Sequence, residues 1–270
     1  MKKTAKKTDK PKNSTVNFNN PPVNEVVFGV QFQPLTKFLV PHVGKLWKYY
    51  EDQLPICREH PALVTAIELQ LGEAAPTITA TLMPRSVFAS SENNELLIQV
   101  QRDAFYRNWS KTSSNVPYPR YEFLVDKFEQ DLAVFVRFLE ENNLGQFQPL
   151  QFELTYLNEI PIGDLSLLKD AQWDANAHSF LPSPGSIQLM SAFDLPEGTG
   201  KLHSNFRTFM KNSGEIVYHW AFTARGAFNP RKDMGLDKMR PWFDNARKWI
   251  VEGFVDMSTE DAKHKLWKLE

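Results

Sequence analysis

Two prolines, Pro21 and Pro22, stand just ahead of a run in which Val26, Phe28, Val30 and Phe32 alternate with Val27, Gly29, Gln31 and Gln33. Strand side chains point to opposite faces with period two, so this run has one apolar face and one mixed face. β-branched and aromatic residues favour such a pleated, half-buried surface. The prolines cannot donate to a sheet ladder, so they end what precedes and let the strand begin. Gly29 inside the strand marks a bulge or a place where another group approaches the backbone closely.

A strand with one apolar face needs partner strands and a covering layer, and the pattern downstream supplies both. Thr36 to Leu54 reads as a helix bent near Pro41, with Leu46, Tyr49, Tyr50 and Leu54 at helical spacing and Pro55 as its stop. Three strands follow, Ala62–Leu71, Thr77–Phe88 and Asn94–Phe105. After a polar loop over 110–117, the clearest helix runs from Pro119 to Asn142. Tyr121, Leu124, Phe128, Leu132, Phe135 and Leu139 recur in it at three- and four-residue intervals, and Gly145 offers an end signal.

The second half repeats this order. A strand over Gln148–Ile160 precedes a short helix at Leu165–Trp173, then strands at Ile187–Phe193, Leu202–Met210 and Glu215–Ala224. Asn212-Ser213-Gly214 reads as a tight hairpin turn. A long helix over Asp237–Met257 carries Phe243, Ala246, Ile250 and Phe254 on one face. Ser258 and Asp261 suggest a capping box for a last short helix ending near Trp267.

Each half thus reads strand, helix, three strands, helix. The expected fold class is α+β, with two tandem units, residues 21–145 and 146–270, forming curved antiparallel sheet with the long helices on one face. In such a tandem the two opening strands are expected side by side at the centre of the sheet. The order resembles the TATA-binding-protein-like and helix-grip topologies, at the level of topology alone.

Charge is distributed unevenly. Residues 1–12 hold Lys2, Lys3, Lys6, Lys7, Lys10 and Lys12 against Asp9, which leaves 25 of the 31 basic and 31 of the 32 acidic residues for the rest of the chain. Residues 1–20, rich in Lys, Asn, Ser, Thr and Pro, are expected to be a disordered basic tail, able to touch nucleic acid or an acidic partner. The acidic body is a poor match for a phosphate backbone. No apolar run approaches the ~20 residues of a membrane helix. The Lys-rich start lacks the apolar core of a secretory signal. The single cysteine, Cys57, excludes an internal disulfide framework. A cytoplasmic protein without membrane contact follows.

Catalytic signatures are missing: no nucleophile elbow, no P-loop, no dinucleotide fingerprint and no H-E-x-x-H. The six histidines, His42, His60, His178, His203, His219 and His264, show no helical ligand spacing. No metal site, cofactor or catalytic residue is therefore expected, and the reading leans away from an enzyme. Two surfaces invite binding instead. The first is the polar side of the predicted sheet. Gln31, Gln33, Gln99, Gln101, Gln151 and Glu153 lie opposite apolar faces, as do His203, Asn205, Arg207, His219, Thr223 and Arg225. Gln, His and Arg hydrogen-bond in directed ways, unlike the residues of a merely solvated face. The second is a cluster of Arg102, Tyr106, Arg107, Trp109, Tyr118, Arg120 and Tyr121, a mixture suited to protein interfaces or to stacking on bases. For a pocket between sheet and helices, Glu153, Tyr156 and His219 are the candidate polar groups. Glu25 is expected to be structural, anchored by a hydrogen bond or by a salt bridge with Arg85 or Arg102. Its replacement by Gln is then expected to lower the melting temperature.

Three stretches carry a family likeness. The opening run Pro21-Pro22-Val23-Asn24-Glu25-Val26-Val27-Phe28-Gly29-Val30-Gln31-Phe32, the segment Tyr156-Leu157-Asn158-Glu159-Ile160 and the C-terminal stretch Phe243–Trp267 together resemble a sporadically distributed bacterial protein family of unknown function. The likeness spans residues 21–268 and omits the basic tail. It implies a prokaryotic protein from loci of patchy distribution, as mobile-element and defence loci are, and it brings no catalytic residues. The expected function is a non-enzymatic binding or regulatory protein that acts through a protein partner. The alternatives are nucleic-acid binding by residues 1–20 with the Arg/Tyr cluster, and small-molecule binding in a helix-grip-like pocket.

Overall fold

The alternation that opens the chain is used as a central strand, with a neighbour on each side. The computed structural model describes residues 16–64, 67–68, 83–113, 116–161, 180, 184–226 and 235–269. Among them nine strands form one antiparallel sheet: β1 (Val23–Phe32), β2 (Ile56–His60), β3 (Arg85–Ala89), β4 (Leu96–Val100), β5 (Ala104–Ser110), β6 (Pro149–Pro161), β7 (Gln188–Asp194), β8 (Gly200–Met210) and β9 (Ile216–Gly226). Their order is β2-β3-β4-β5-β1-β6-β9-β8-β7. The fold is α+β, and the two opening strands, β1 and β6, pair at its centre with Phe28 opposite Leu154 and Val26 opposite Tyr156.

The helices are α1 (Val40–Trp47), α2 (Tyr121–Glu141) and α3 (Met239–Met257). Every member of the α2 stripe is buried, as are Phe243, Ala246, Ile250 and Phe254 of α3. Both long helices meet the sheet through phenyl rings. Phe28 lies 5.6 Å from Phe128 of α2 and 5.2 Å from Phe243 of α3, ring centre to ring centre. Phe254 covers Trp220 and Phe222 further along. No helix among the described residues is long and apolar enough to cross a membrane.

Several local expectations change. Pro41 falls in the first turn of α1, where a missing N–H costs nothing, so it starts that helix and does not bend it. The strand expected over Asn94–Phe105 is two strands, β4 and β5, joined by a tight turn in which Gln101 N–H donates to Ala104 O at 3.0 Å. The turn is the polar triplet Gln101-Arg102-Asp103, which carries no Gly or Pro to mark it. The end signal of α2 is Asn143 and not Gly145. Asn143 has φ of 52°, Leu144 N–H bonds back to Leu139 O, and Asn143 N–H to Glu140 O, which is a Schellman ending. Ser258 does not cap the last short helix, because its hydroxyl donates to Phe254 O; Thr259 Oγ1 accepts from Ala262 N–H instead. The Asn212-Ser213-Gly214 turn closes as expected, with Gly214 at φ of 84° and Lys211 N–H bonded to Glu215 O.

Residues 16–20, assigned by composition to the tail, pair with the C-terminal end. Asn19 N–H donates to Lys268 O and Asn20 N–H to Trp267 O, and Phe18 is buried against Phe254 and Trp267. One aromatic side chain is enough to dock a segment that its neighbours would leave in water. Residues 1–15, the helix expected at Leu165–Trp173 and half of each strand expected over Ala62–Leu71 and Thr77–Phe88 lie outside the described residues; Ala62, Leu63, Val64, Ile67 and Glu68 are described and belong to no strand, and β3 is the end of the second expected strand. β2 carries no strand signal in the sequence, since Ile56 is its one strongly apolar strand former.

Gly29 proves to be a close approach and not a bulge. The β1–β5 register runs unbroken through it, with Tyr106 directly opposite. A Cβ at position 29 would lie 2.5 Å from the Tyr106 ring. That ring is buried and its hydroxyl accepts a bond from Gln31 Nε2 at 3.0 Å, so it cannot simply swing away. Gly29→Ala is expected to cost about 1–3 kcal/mol, measured by denaturant unfolding. In the Tyr106→Ala background the same substitution should cost much less, because the clash is gone.

Candidate binding surface

Because α2 and α3 cover one face, the strand registers assign every other residue to the opposite face. One row across that face reads Val87, Gln99, Tyr106, Gly29, Glu153, Arg225, Lys201 and Asp194, from β3 to β7. Gln31, Gln151, His203, Asn205, Arg207, His219 and Thr223 lie on the same side. The polar face read from the sequence is therefore a single continuous surface.

Its β3–β1 side is wired together. Arg85 Nη1 donates to Gln99 Oε1, Gln99 Nε2 to Asn108 Oδ1 at 2.7 Å, and Asn108 Nδ2 to Glu25 Oε1 at 2.7 Å. A guanidinium and a carboxylate three strand positions apart are linked through two amide side chains, all donating in the same direction. A second ladder runs from Gln151 Nε2 to Gln31 Oε1 at 3.1 Å and from Gln31 Nε2 to the Tyr106 hydroxyl. Arg225 and Glu153 form an ion pair beside it at 2.6 Å.

These glutamines do not face water. Gln31, Gln101 and Gln151 are buried, and main-chain groups from the segment after β2 lie over two of them. Gln101 Oε1 accepts from Leu63 N–H at 3.1 Å while its Nε2 donates to Leu63 O at 3.0 Å. Gln151 Oε1 accepts from Glu68 N–H at 2.6 Å. The Glu68 carboxylate reaches His203 Nε2 at 2.8 Å and Lys201 Nζ at 3.3 Å. Burial alone would raise the Glu68 carboxyl, but the His203 and Lys201 contacts outweigh it and hold it below its ordinary value of 4.5.

The remaining candidates lie elsewhere. On β8 and β9, His219 stacks on Phe209 at 3.9 Å, and the exposed Arg207 lies over the same ring. His203 and His219 do not form a pair, since His203 is opposite Thr223 and His219 opposite Arg207. The arginine–aromatic cluster is divided by the fold. Arg107 and Trp109 point to the helix face, where Arg107 Nε is bonded to Asp131 of α2 and Trp109 is buried beside Tyr118. Tyr118 shares a hydroxyl contact with Tyr156, and Tyr121 donates to Asp244 of α3. Arg120, with φ of 70°, caps the start of α2 and lies over Tyr118. Arg102 is at the β4–β5 turn, bonded to Phe38 O. Glu153 and His219 lie on the polar face and Tyr156 on the helix face, so those three candidates do not line one cavity. Among the described residues no group of three or more His, Cys, Asp or Glu side chains could hold a metal ion.

The opening run Pro21–Phe32 and the segment Tyr156–Ile160 meet where β1 and β6 pair: Glu159 N–H donates to Pro22 O at 2.9 Å. In comparisons with protein-family models, with curated proteins and with solved structures, nothing matches this chain. The glutamine contacts with Leu63 and Glu68 are what sequence reasoning missed, since nothing in residues 61–68 signals a partner across the sheet.

Glu25 is held by hydrogen bonds from Asn108 and Ser110, while Arg85 is bonded to Gln99 and reaches it only through the amide relay. Burial raises its carboxyl above 4.5, and the two hydrogen bonds only partly oppose this. A folded-state value above the unfolded one means that stability rises as pH falls toward it, and that the ionised group is a cost at neutral pH. The sign expected from an ion pair is therefore reversed. Glu25→Gln keeps an acceptor for Asn108 and should melt above the parent at pH 7, by about 2–4 °C for each kcal/mol relieved. The gap should narrow as pH falls toward the raised value of the Glu25 carboxyl. A lower melting temperature at pH 7 in scanning calorimetry would contradict this.

Proposed function

We propose that this chain is a non-enzymatic binding or regulatory protein that holds a protein partner on the sheet face opposite its helices. The observation that carries the reading is the Gln101 side chain bonded to both the N–H and the C=O of Leu63. Two residues of neighbouring antiparallel strands exchange bonds in the same way. A side-chain amide that does this recognises backbone, whatever the side chain of the bound residue. The row of directed donors and acceptors from Gln99 to Lys201 supports the same reading, because sites on rigid strands hold their groups more precisely than sites on loops.

A cytoplasmic setting, on the single cysteine and the composition, and a mobile-element or defence-associated locus, on the family likeness alone, remain part of this proposal. So does descent from two tandem units of TATA-binding-protein-like or helix-grip-like topology. The strand order supports it: outward from the β1–β6 pair, β5, β4 and β3 follow on one side as β9, β8 and β7 follow on the other.

The test is site-specific photo-crosslinking in an extract of the source cells. A crosslinker replaces Arg207, exposed on the polar face, or Asn245, exposed on α3. One partner should be captured in near-stoichiometric yield from position 207 and not from position 245. Capture of the same species at both positions, or of none at 207, would remove the reading.

A further inference from the structure

The partner's chemistry can be made more specific, on the assumption that the binding reading above holds. We infer that the polar face is a receptor for an extended acidic peptide, and that the chain's own Leu63 and Glu68 occupy it as an internal stand-in. Three contacts define the ligand. Gln101 takes the N–H and C=O of one residue, Gln151 takes the N–H of a residue five positions on, and Lys201 with His203 takes that second residue's carboxylate.

The spacing fits a chain laid across the strands. Gln101 follows β4 and Gln151 lies on β6, three strand positions apart, or about 14 Å at the usual strand spacing. Five residues of extended chain reach about 17 Å. The charge also fits. Arg225 is neutralised by Glu153 within the sheet, whereas Lys201 and His203 meet the carboxylate of Glu68, which comes from outside it.

The contacts of Leu63 and Glu68 with the sheet are polar. Val64 is 89% exposed and Leu63 38%, and none of the described residues from Pro61 to Glu68 is buried. A segment whose described residues bury no apolar side chain fully can be replaced by a chain offering the same backbone groups and one carboxylate. Being tethered, it also competes at the high local concentration of an intramolecular ligand, so the free site should show only when its anchor is weakened.

The test uses a fluorescein-labelled peptide of residues 61–70 with the full-length protein. Fluorescence anisotropy should show Glu68→Ala protein binding it at least tenfold more tightly than the parent does. Adding Gln101→Ala or His203→Ala to that variant should abolish the gain, and a peptide with Gln in place of Glu68 should bind weakly. Leu63→Pro, which removes the N–H that Gln101 accepts, is a second route to the freed site, and thermal melts establish that each variant is folded. Equal binding by parent and freed variants, or binding indifferent to Gln101 and His203, would overturn the inference. That result would leave the crosslinking outcome at Arg207 untouched, so the two readings fail separately.

Discussion

The pairing of β1 with β6 is the constraint on which the rest of the molecule depends. It joins the two halves of the chain into one sheet and sets Phe28, Leu154 and Tyr156 in line on one face. Phe28 then meets rings from both long helices, Phe128 of α2 and Phe243 of α3. A phenyl side chain in such a setting contributes about 1.5–3 kcal/mol through burial, and each ring pair adds about 0.5–1.5 kcal/mol beyond area. The same register brings Gln31 beside Gln151 on the other face. One set of backbone bonds therefore fixes both the core and the polar surface.

That polar surface is organised to a degree that solvation does not require. An antiparallel sheet can leave one face to water, and long charged side chains suffice for that. Here amides bridge neighbouring strands, from Arg85 to Glu25 and from Gln151 to Tyr106. Their donors and acceptors are fixed by one another before anything binds. Fixed groups lose little freedom on binding, which is how preorganisation raises affinity. The same fixity explains how Gln101 can address both backbone groups of a single residue.

Much of this was legible in the sequence because it rests on periodicity. The alternation of β1, the α2 stripe from Tyr121 to Leu139 and the Gly214 turn all follow from local rules, and the polar face follows from the alternation. What escaped depends on contacts distant in sequence. The β4–β5 turn is hidden because Gln101-Arg102-Asp103 carries no Gly or Pro to punctuate it. The arginine–aromatic cluster looks like one patch along the chain. In the fold, alternation within β5 sends Arg107 to the helices and Tyr106 to the polar face, while Tyr118 and Tyr121 are occupied with Tyr156 and Asp244. The arginines expected beside Glu25 do not reach it directly, and Asn108 and Ser110 hold it instead. The seats of Leu63 and Glu68 depend on residues as distant as His203, which no local pattern announces.

The central claim is that side-chain amides of the polar face bind main-chain groups. Amide hydrogen exchange at Leu63 and Glu68, followed by NMR, tests it most directly. A net hydrogen-bond contribution of about 1 kcal/mol slows exchange about fivefold. Both amides should exchange at least that much more slowly than in an unstructured peptide of the same sequence. Gln101→Ala should release the Leu63 amide and Gln151→Ala the Glu68 amide. Exchange at the unstructured rate in the parent, or protection unchanged in both variants, would contradict the account.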